Sequence, residues 1–432
     1  MPVARWLTGR AGLLRQHDFR HLWAADVISQ FGTRVSYLAL PLLAVSYLHA
    51  TTLEVSLLRT AQTLAYLLLG LQVGAWCDRI RRGPVVVIAD LGRALLLAWI
   101  PIGAALGLLT IWQLYIVVGL AGVLSVFFDV ARRSYLPDLV ARADLVEANT
   151  KIAVNQSGAA IAAPVLGGLF VQWLTAPIAI AIDAASYLWS GLWLRGIRAT
   201  EPARRPARRH LLREIREGLR VVAREPILRA FGAHNASLSL FQSANTAIAI
   251  VFLVREVHLR PGIIGLLGTV GLLGAVAASA TTRRLSDLIG PARLLWLVGG
   301  VVCGSGFLLY PLVAPGWRIW FDAAATFLCS TGIIVLNIVE SSFQQAVCPP
   351  ELLSRVNATM SFLVWGVIPL GSLLGGLAGA TFGLRPTLWI AGVGALASAG
   401  WLVCSPLRSM RDLPSTTLVV PADDGSQAPA GH

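Results

Sequence analysis

The sequence predicts an all-α membrane protein of twelve transmembrane helices, arranged as two pseudo-symmetric six-helix bundles, and three observations carry that prediction. Hydrophobic residues fill 56% of 432 positions and charged residues 13%, with a mean hydropathy of +0.69. A soluble domain with these values would present a grossly apolar surface. Apolar runs of the ~20 residues needed to cross about 30 Å of hydrocarbon lie near 22–48, 54–76, 84–107, 111–130, 152–174, 177–197, 227–254, 261–281, 291–314, 317–339, 357–382 and 386–405. Finally, identical residues recur at one fixed offset of 208: Asn149 and Asn357, Gly167 and Gly375, Gly168 and Gly376, Leu169 and Leu377, Trp193 and Trp401. A chain whose second half copies its first is a common construction of secondary transporters, with the cargo site near the bilayer midplane where the halves meet.

The runs divide the chain into a first bundle over 1–197, a cytoplasmic basic linker over 198–225, a second bundle over 226–405 and a disordered cytoplasmic tail over 406–432. A net charge of +13 would point to nucleic acid in a soluble protein, but its distribution reads differently. With the N-terminus inside, 28 of the 35 Lys and Arg fall in cytoplasmic segments, 4 outside (Arg255, Arg260, Arg318, Arg385) and 3 within spans (Arg34, Arg59, Arg93). The positive-inside rule therefore places both termini in the cytoplasm and accounts for the basic charge without nucleic acid as partner; a bacterial inner membrane is the expected location. The five cysteines are scattered, without a Cys-x-x-Cys pair or clustered histidines, so neither metal, cofactor nor disulfide framework is expected. The first apolar run is too long for a signal-peptide core and carries Asp26 and Arg34, so it is read as a retained helix.

In chain order, span one places Asp26, Gln30 and Arg34 four residues apart along one helical face. A charged side chain in the bilayer centre costs about 2.5–3.5 kcal/mol at least, so that face should line a cavity or a partner helix. The loop after span two reads Gly74-x-x-x-Asp78-Arg79-x-x-Arg82; its glycine permits close helix approach, and its charges suit helix termini and lipid phosphates. Asp90 and Arg93 in span three, Asp129 at the end of span four and Glu340 in span ten lie near the cytoplasmic ends, where structural ion pairing is favoured. Span five carries Ala159-x-x-x-Ala163-Pro164-x-x-Gly167-Gly168, a small-residue face with a bend-favouring proline. It is repeated in part at Gly375 and Gly376. Asp183 in span six, His234, Gln242 and Asn245 in span seven, and Asp322 in span ten complete the intramembrane polar set. For each, a structural ion pair and a transport role both remain open. In the linker, Leu211, Leu212, Ile215, Leu219 and Val222 share one face of an amphipathic helix, which fits either the anionic leaflet or a solvated connection.

The loop at Gly74, Asp78, Arg79 and Arg82 resembles motif A of the major facilitator superfamily. Phe128, Asp129, Ala131, Arg132, Arg133, Leu136, Pro137 and Asp138, followed by Glu147, Ala148 and Asn149, together with Gln344, Gln345, Val347, Pro349, Arg355 and Asn357, resemble the branch containing the enterobactin exporter and the macrolide efflux proteins. The resemblance covers residues 15 to 405. It implies a monomeric exporter of a small organic molecule (drug, antibiotic or siderophore type) working by proton antiport, with motif A as a latch between the halves. Span five is similar to the antiporter motif Gly-x-x-x-Gly-Pro-x-x-Gly-Gly, with alanine at two glycine positions, and would serve as hinge and packing surface. Asp26 is then the first choice for proton coupling, Asp183 the second because outer helices less often line the cavity. Gln30, Arg34, His234, Gln242 and Asn245 are the further candidates for cargo or proton contact. An importer of the same fold and a non-transporting scaffold or sensor are the rival readings. A phosphate-binding loop is missing, since the only lysine, Lys151, is followed by Ile152, and no catalytic constellation surrounds His17 and His21, so the chain is not read as an enzyme.

Overall fold

The computed structural model describes residues 12–77, 80–199 and 219–412. Among these, twelve long helices follow one another: α1 His17–Ser46, α2 Thr52–Cys77, α3 Arg82–Ala105, α4 Ile111–Leu139, α5 Leu145–Leu174, α6 Ala176–Leu194, α7 Pro226–Arg255, α8 Pro261–Ile289, α9 beginning at Pro291, α10 Trp320–Val347, α11 Pro350–Phe382 and α12 Leu384–Val403. Among the described residues ten helices, α3 to α12, are long and apolar enough to cross a membrane. The other two have the length, 30 and 26 residues, but α1 carries Asp26, Gln30 and Arg34 and α2 is broken by Thr60, Gln62 and Thr63. Proline opens α7, α8, α9 and α11, where its missing N–H costs nothing. Thr110 with Gln113, and Thr51 with Glu54, cap α4 and α2 by the same reciprocal side-chain–backbone bonds. Within α9 the stretch Leu295–Val302 widens to a π-helix.

The largest extensions beyond the apolar segments are in five helices, all at the end of the molecule where the termini lie: α4 to Leu139, α5 from Leu145, α8 to Ile289, α10 to Val347 and α11 from Pro350. An apolar run marks only the part of a helix that sits in hydrocarbon. The amphipathic helix expected in the linker falls largely outside the described residues, which there begin at Leu219, as does the tail from residue 413 onward.

Inside the first bundle α1 packs on α5 and α6, α3 on α4 and α6, and α2 on α4. The same five pairings recur one half later, with α7 on α11 and α12, α9 on α10 and α12, and α8 on α10. Across the bundles the main contacts are α2 with α11 and α5 with α8, a pair of seams that exchange when the halves exchange. Lipid tails are as apolar as leucine, so helices in a bilayer are held by close packing rather than by the hydrophobic effect. The seams supply it through glycine. A Cβ on Gly168 would strike the Pro261 carbonyl and the Gly265 backbone of α8, and one on Gly376 would strike Ser56 of α2. The preceding glycines face inward instead: Gly167 meets Val35 of α1 and Gly375 meets Ala244 of α7. Each Gly-Gly pair thus serves one contact within its bundle and one between bundles.

The seams close one end of the molecule. At the loop end, opposite the termini, a single apolar core joins both bundles and contains Leu43, Val55, Ile180, Phe252, Ile264 and Leu388. At the terminal end each bundle keeps its own core, one within 13–194 and the other within 222–407. Hydrogen bonds from the Arg255 guanidinium to the Ala50 carbonyl (2.5 Å) and from the Gly262 N–H to the Gln172 side chain (3.1 Å) add to the closure of the loop end.

Candidate functional site

The first bundle contains a small polar cleft of ≈ 50 Å³ between α1, α2, α3, α4 and α6, lined by Thr33, Tyr37, Tyr66, Arg93, Asp183 and Tyr187 among others. Arg93 lies mid-helix in α3, not near its end as the apolar run implied. Its guanidinium is sandwiched between the rings of Phe128 (4.3 Å) and Tyr187 (4.2 Å), pairs with Asp90 and reaches the Ser125 hydroxyl at 3.4 Å. Asp90 also accepts from Ser190 of α6. A desolvated cation over aromatic faces gains ~2 kcal/mol or more, so Arg93 is held by stacking as well as by charge. The hydroxyls of Thr33 and Tyr187 meet at 2.7 Å, and Tyr66 donates to Asp129 at 2.7 Å.

Asp183, ranked second at the level of sequence because outer helices less often line a cavity, lines this cleft. It is 1% exposed and accepts a hydrogen bond from Ser186 at 3.2 Å. Gly32 of α1 lies directly against its carboxylate, where any side chain would collide with Asp183 and Ser186. No described Lys, Arg or His stands within ion-pairing distance of it.

Asp26 is placed differently. Its carboxylate is buried between α1, α4 and α5, paired with Arg132 at 3.0 Å and bonded by Asn155 (3.3 Å) and Gln30 (3.4 Å). Arg132, counted at the level of sequence among the cytoplasmic loop arginines, is a buried residue of α4. The apolar run ended before it, which hid it. Arg34 is exposed on α1, so of the three residues expected on this face only Asp26 and Gln30 are joined. Of the second-bundle candidates, His234 is fully buried and bonded through Nδ1 to the Ser398 carbonyl at 2.9 Å. Asn245 is buried and Gln242 half-buried, and neither joins the cleft. Asp322 is also buried, near the loop end of α10.

Of the latch residues, Gly74 lies within α2, and Asp78 and Arg79 lie outside the described residues. Arg82 bonds the Ser134 carbonyl and pairs with Asp138 at 3.1 Å, both on α4 of its own bundle. Pro164 packs against Gly265 and Gly268 in the α5–α8 seam. Sequence reasoning missed Tyr66, Tyr187, Asn155 and Asn235. These are ordinary in helix sequences, and no spacing signals them; only the contacts between helices distant in the chain do.

A family model described as transmembrane secretion effector matches residues 8–422. An uncharacterized MFS-type transporter, YfiS of Bacillus subtilis (strain 168), is 26% identical over 412 residues, covering 91% of each chain. The multidrug efflux pump Tap of Mycolicibacterium fortuitum is 27% identical over 378 residues, covering 82% of this chain and 88% of Tap. Among solved structures, the nucleoside transporter NupG superposes with a TM-score of 0.74 at 12% identity, covering 89% of this chain and 98% of its own. A bacterial homologue of the iron transporter ferroportin in an inward-facing state gives 0.73 at 16%, covering 91% and 99%.

Proposed function

Since the chain belongs to the transmembrane secretion effector family of the major facilitator superfamily, we propose that it exports a small organic molecule from a bacterial cell by proton antiport and alternating access. The observation that carries this reading is Asp183. It is an acid facing a polar cleft in the first bundle, hydrogen-bonded by Ser186, with Arg93 lining the same cleft but no described cation within ion-pairing distance. A carboxylate so placed can hold a proton or a polar group of the cargo but not both at full strength, and that competition is what antiport requires. Likeness in sequence to a multidrug efflux pump supports export. The moving bodies are the bundles 1–197 and 226–405, rocking about the two glycine seams. If the termini lie in the cytoplasm, as the charge distribution argues, the separate cores at the terminal end describe a state open to the inside, ready to load cargo.

The test uses everted membrane vesicles with ethidium as the probe. Proton pumping into the lumen should drive ethidium uptake that a protonophore abolishes, whereas Asp183→Asn should lose gradient-driven uptake and keep ethidium exchange. Uptake indifferent to the protonophore would refute antiport. Uptake by intact cells rather than vesicles would reverse the direction.

A further inference from the structure

The offset of 208 that relates the two halves maps the buried pair Asp26 and Arg132 onto His234 and Glu340, so the second bundle carries the same crossing of its first and fourth helices with the charges exchanged. The copy does not form an ion pair. His234 turns to the Ser398 carbonyl of α12, and its Nε2 is buried without a partner. Glu340 is buried inside α10, where its two oxygens are met by amides instead: Asn235 of α7 at 2.7 Å and Gln344, one turn along α10, at 2.9 Å. The titratable groups on the helices packed against α10 are Arg229, His234 and Arg255 of α7, Arg283, Arg284 and Asp287 of α8, and Arg293 and Cys303 of α9. α12 adds Arg385 and Cys404 nearby, and on α11 the side chains of Glu351 and Arg355 are not described. None of the described ones bonds or pairs with the carboxylate.

The difference in partners matters because a guanidinium only donates and therefore holds a carboxylate in its ionised form. An amide has a donor and an acceptor on one plane. Asn235 can donate its N–H to a charged Glu340, or turn over and accept the O–H of a neutral one, with no change of position; which atom faces the acid is an assignment rather than an observation. We propose that Glu340 is a proton-binding residue of the transport cycle, loading a proton from the terminal end onto its carboxylate and releasing it when the bundles rearrange, while Asp26 stays locked to Arg132. This rests on the proton-coupled reading above and adds a second site, in the opposite bundle from Asp183.

The experiment is pH-difference infrared spectroscopy of the purified full chain in lipid nanodiscs, followed by ethidium transport in proteoliposomes. The expected result is a protonated-carboxyl C=O band that rises as pH falls and is lost in Glu340→Gln. Asn235→Leu should keep the band and shift its midpoint, and Glu340→Asp should restore a titrating band; both variants must elute as the parent does in size-exclusion chromatography. A spectrum without a Glu340-dependent band, or with one that ignores pH, overturns the proposal. So does a Glu340→Gln variant that moves ethidium with the parental pH profile. Failure of antiport itself reads out separately, as protonophore-insensitive transport by the parent.

Discussion

At the scale of single residues, the polar groups that sequence marks as expensive in lipid divide in two: Asp26 and Asp90 are paired with arginines, whereas Asp183 is met by a serine and Glu340 by amides. Asp26 could be picked out because a charge stood in an apolar run, but Arg132 could not, because it lay beyond the run on a helix that continues for two more turns. Removing one partner of a buried pair leaves the other charge stranded and costs about 3–5 kcal/mol. Arg132→Leu should therefore lower the thermal midpoint of the purified protein sharply, and the double variant Asp26→Asn/Arg132→Leu should recover much of the loss. If Asp26 couples protons as well, Asp26→Asn would also abolish gradient-driven efflux while keeping exchange; retention of efflux marks it as a structural partner. A second residue-scale prediction concerns Thr175, which joins α5 to α6 at φ 84°, ψ 156°, a region essentially reserved for glycine and worth about 1–3 kcal/mol of strain to other residues. Its counterpart one offset later is Gly383 at φ 91°. Thr175 is exposed, so Thr175→Gly loses no buried contact and should raise the thermal midpoint; a lower one would show that the threonine side chain holds the turn.

At the scale of helices, periodicity and apolar runs located most of the elements within a few residues but could not show how α5 and α11 use their glycines. The motif Pro164, Gly167, Gly168 reads as a packing face whatever it packs against. Only the contacts divide it, Gly167 to α1 and Gly168 across to α8, with Gly375 and Gly376 repeating the division toward α7 and α2. That division makes the between-bundle glycines the more informative targets. A leucine at position 168 or 376 would push apart the seam that closes the loop end without touching the in-bundle contact of its neighbour. Gly168→Leu and Gly376→Leu should each favour states open at the loop end. In a Leu259→Cys background, where position 259 is part of the shared core, labelling by an impermeant maleimide from outside should increase, and cargo exchange should fall. Unchanged labelling in both variants would remove the seams from the closing mechanism.

At the scale of the whole molecule, the sequence repeat and the apolar content were enough for the two-bundle architecture, because both are properties of the full chain. The cleft of the first bundle was not legible, since it depends on residues of five helices meeting in space. Orientation belongs to this scale too, and it rests on the asymmetry of Lys and Arg between the two sets of loops. Cys77 and Cys348, both on the side assigned to the cytoplasm, are buried and would resist labelling from either face, so they cannot report orientation. Cys404 can: it is exposed, and it follows α12 at the terminal end. With the other four cysteines buried, an impermeant maleimide should leave intact cells unlabelled and label everted vesicles, with Cys404→Ser abolishing the signal. Labelling of intact cells through Cys404 would invert the molecule in the membrane, turn the open terminal end outward and make the described state one that faces the outside.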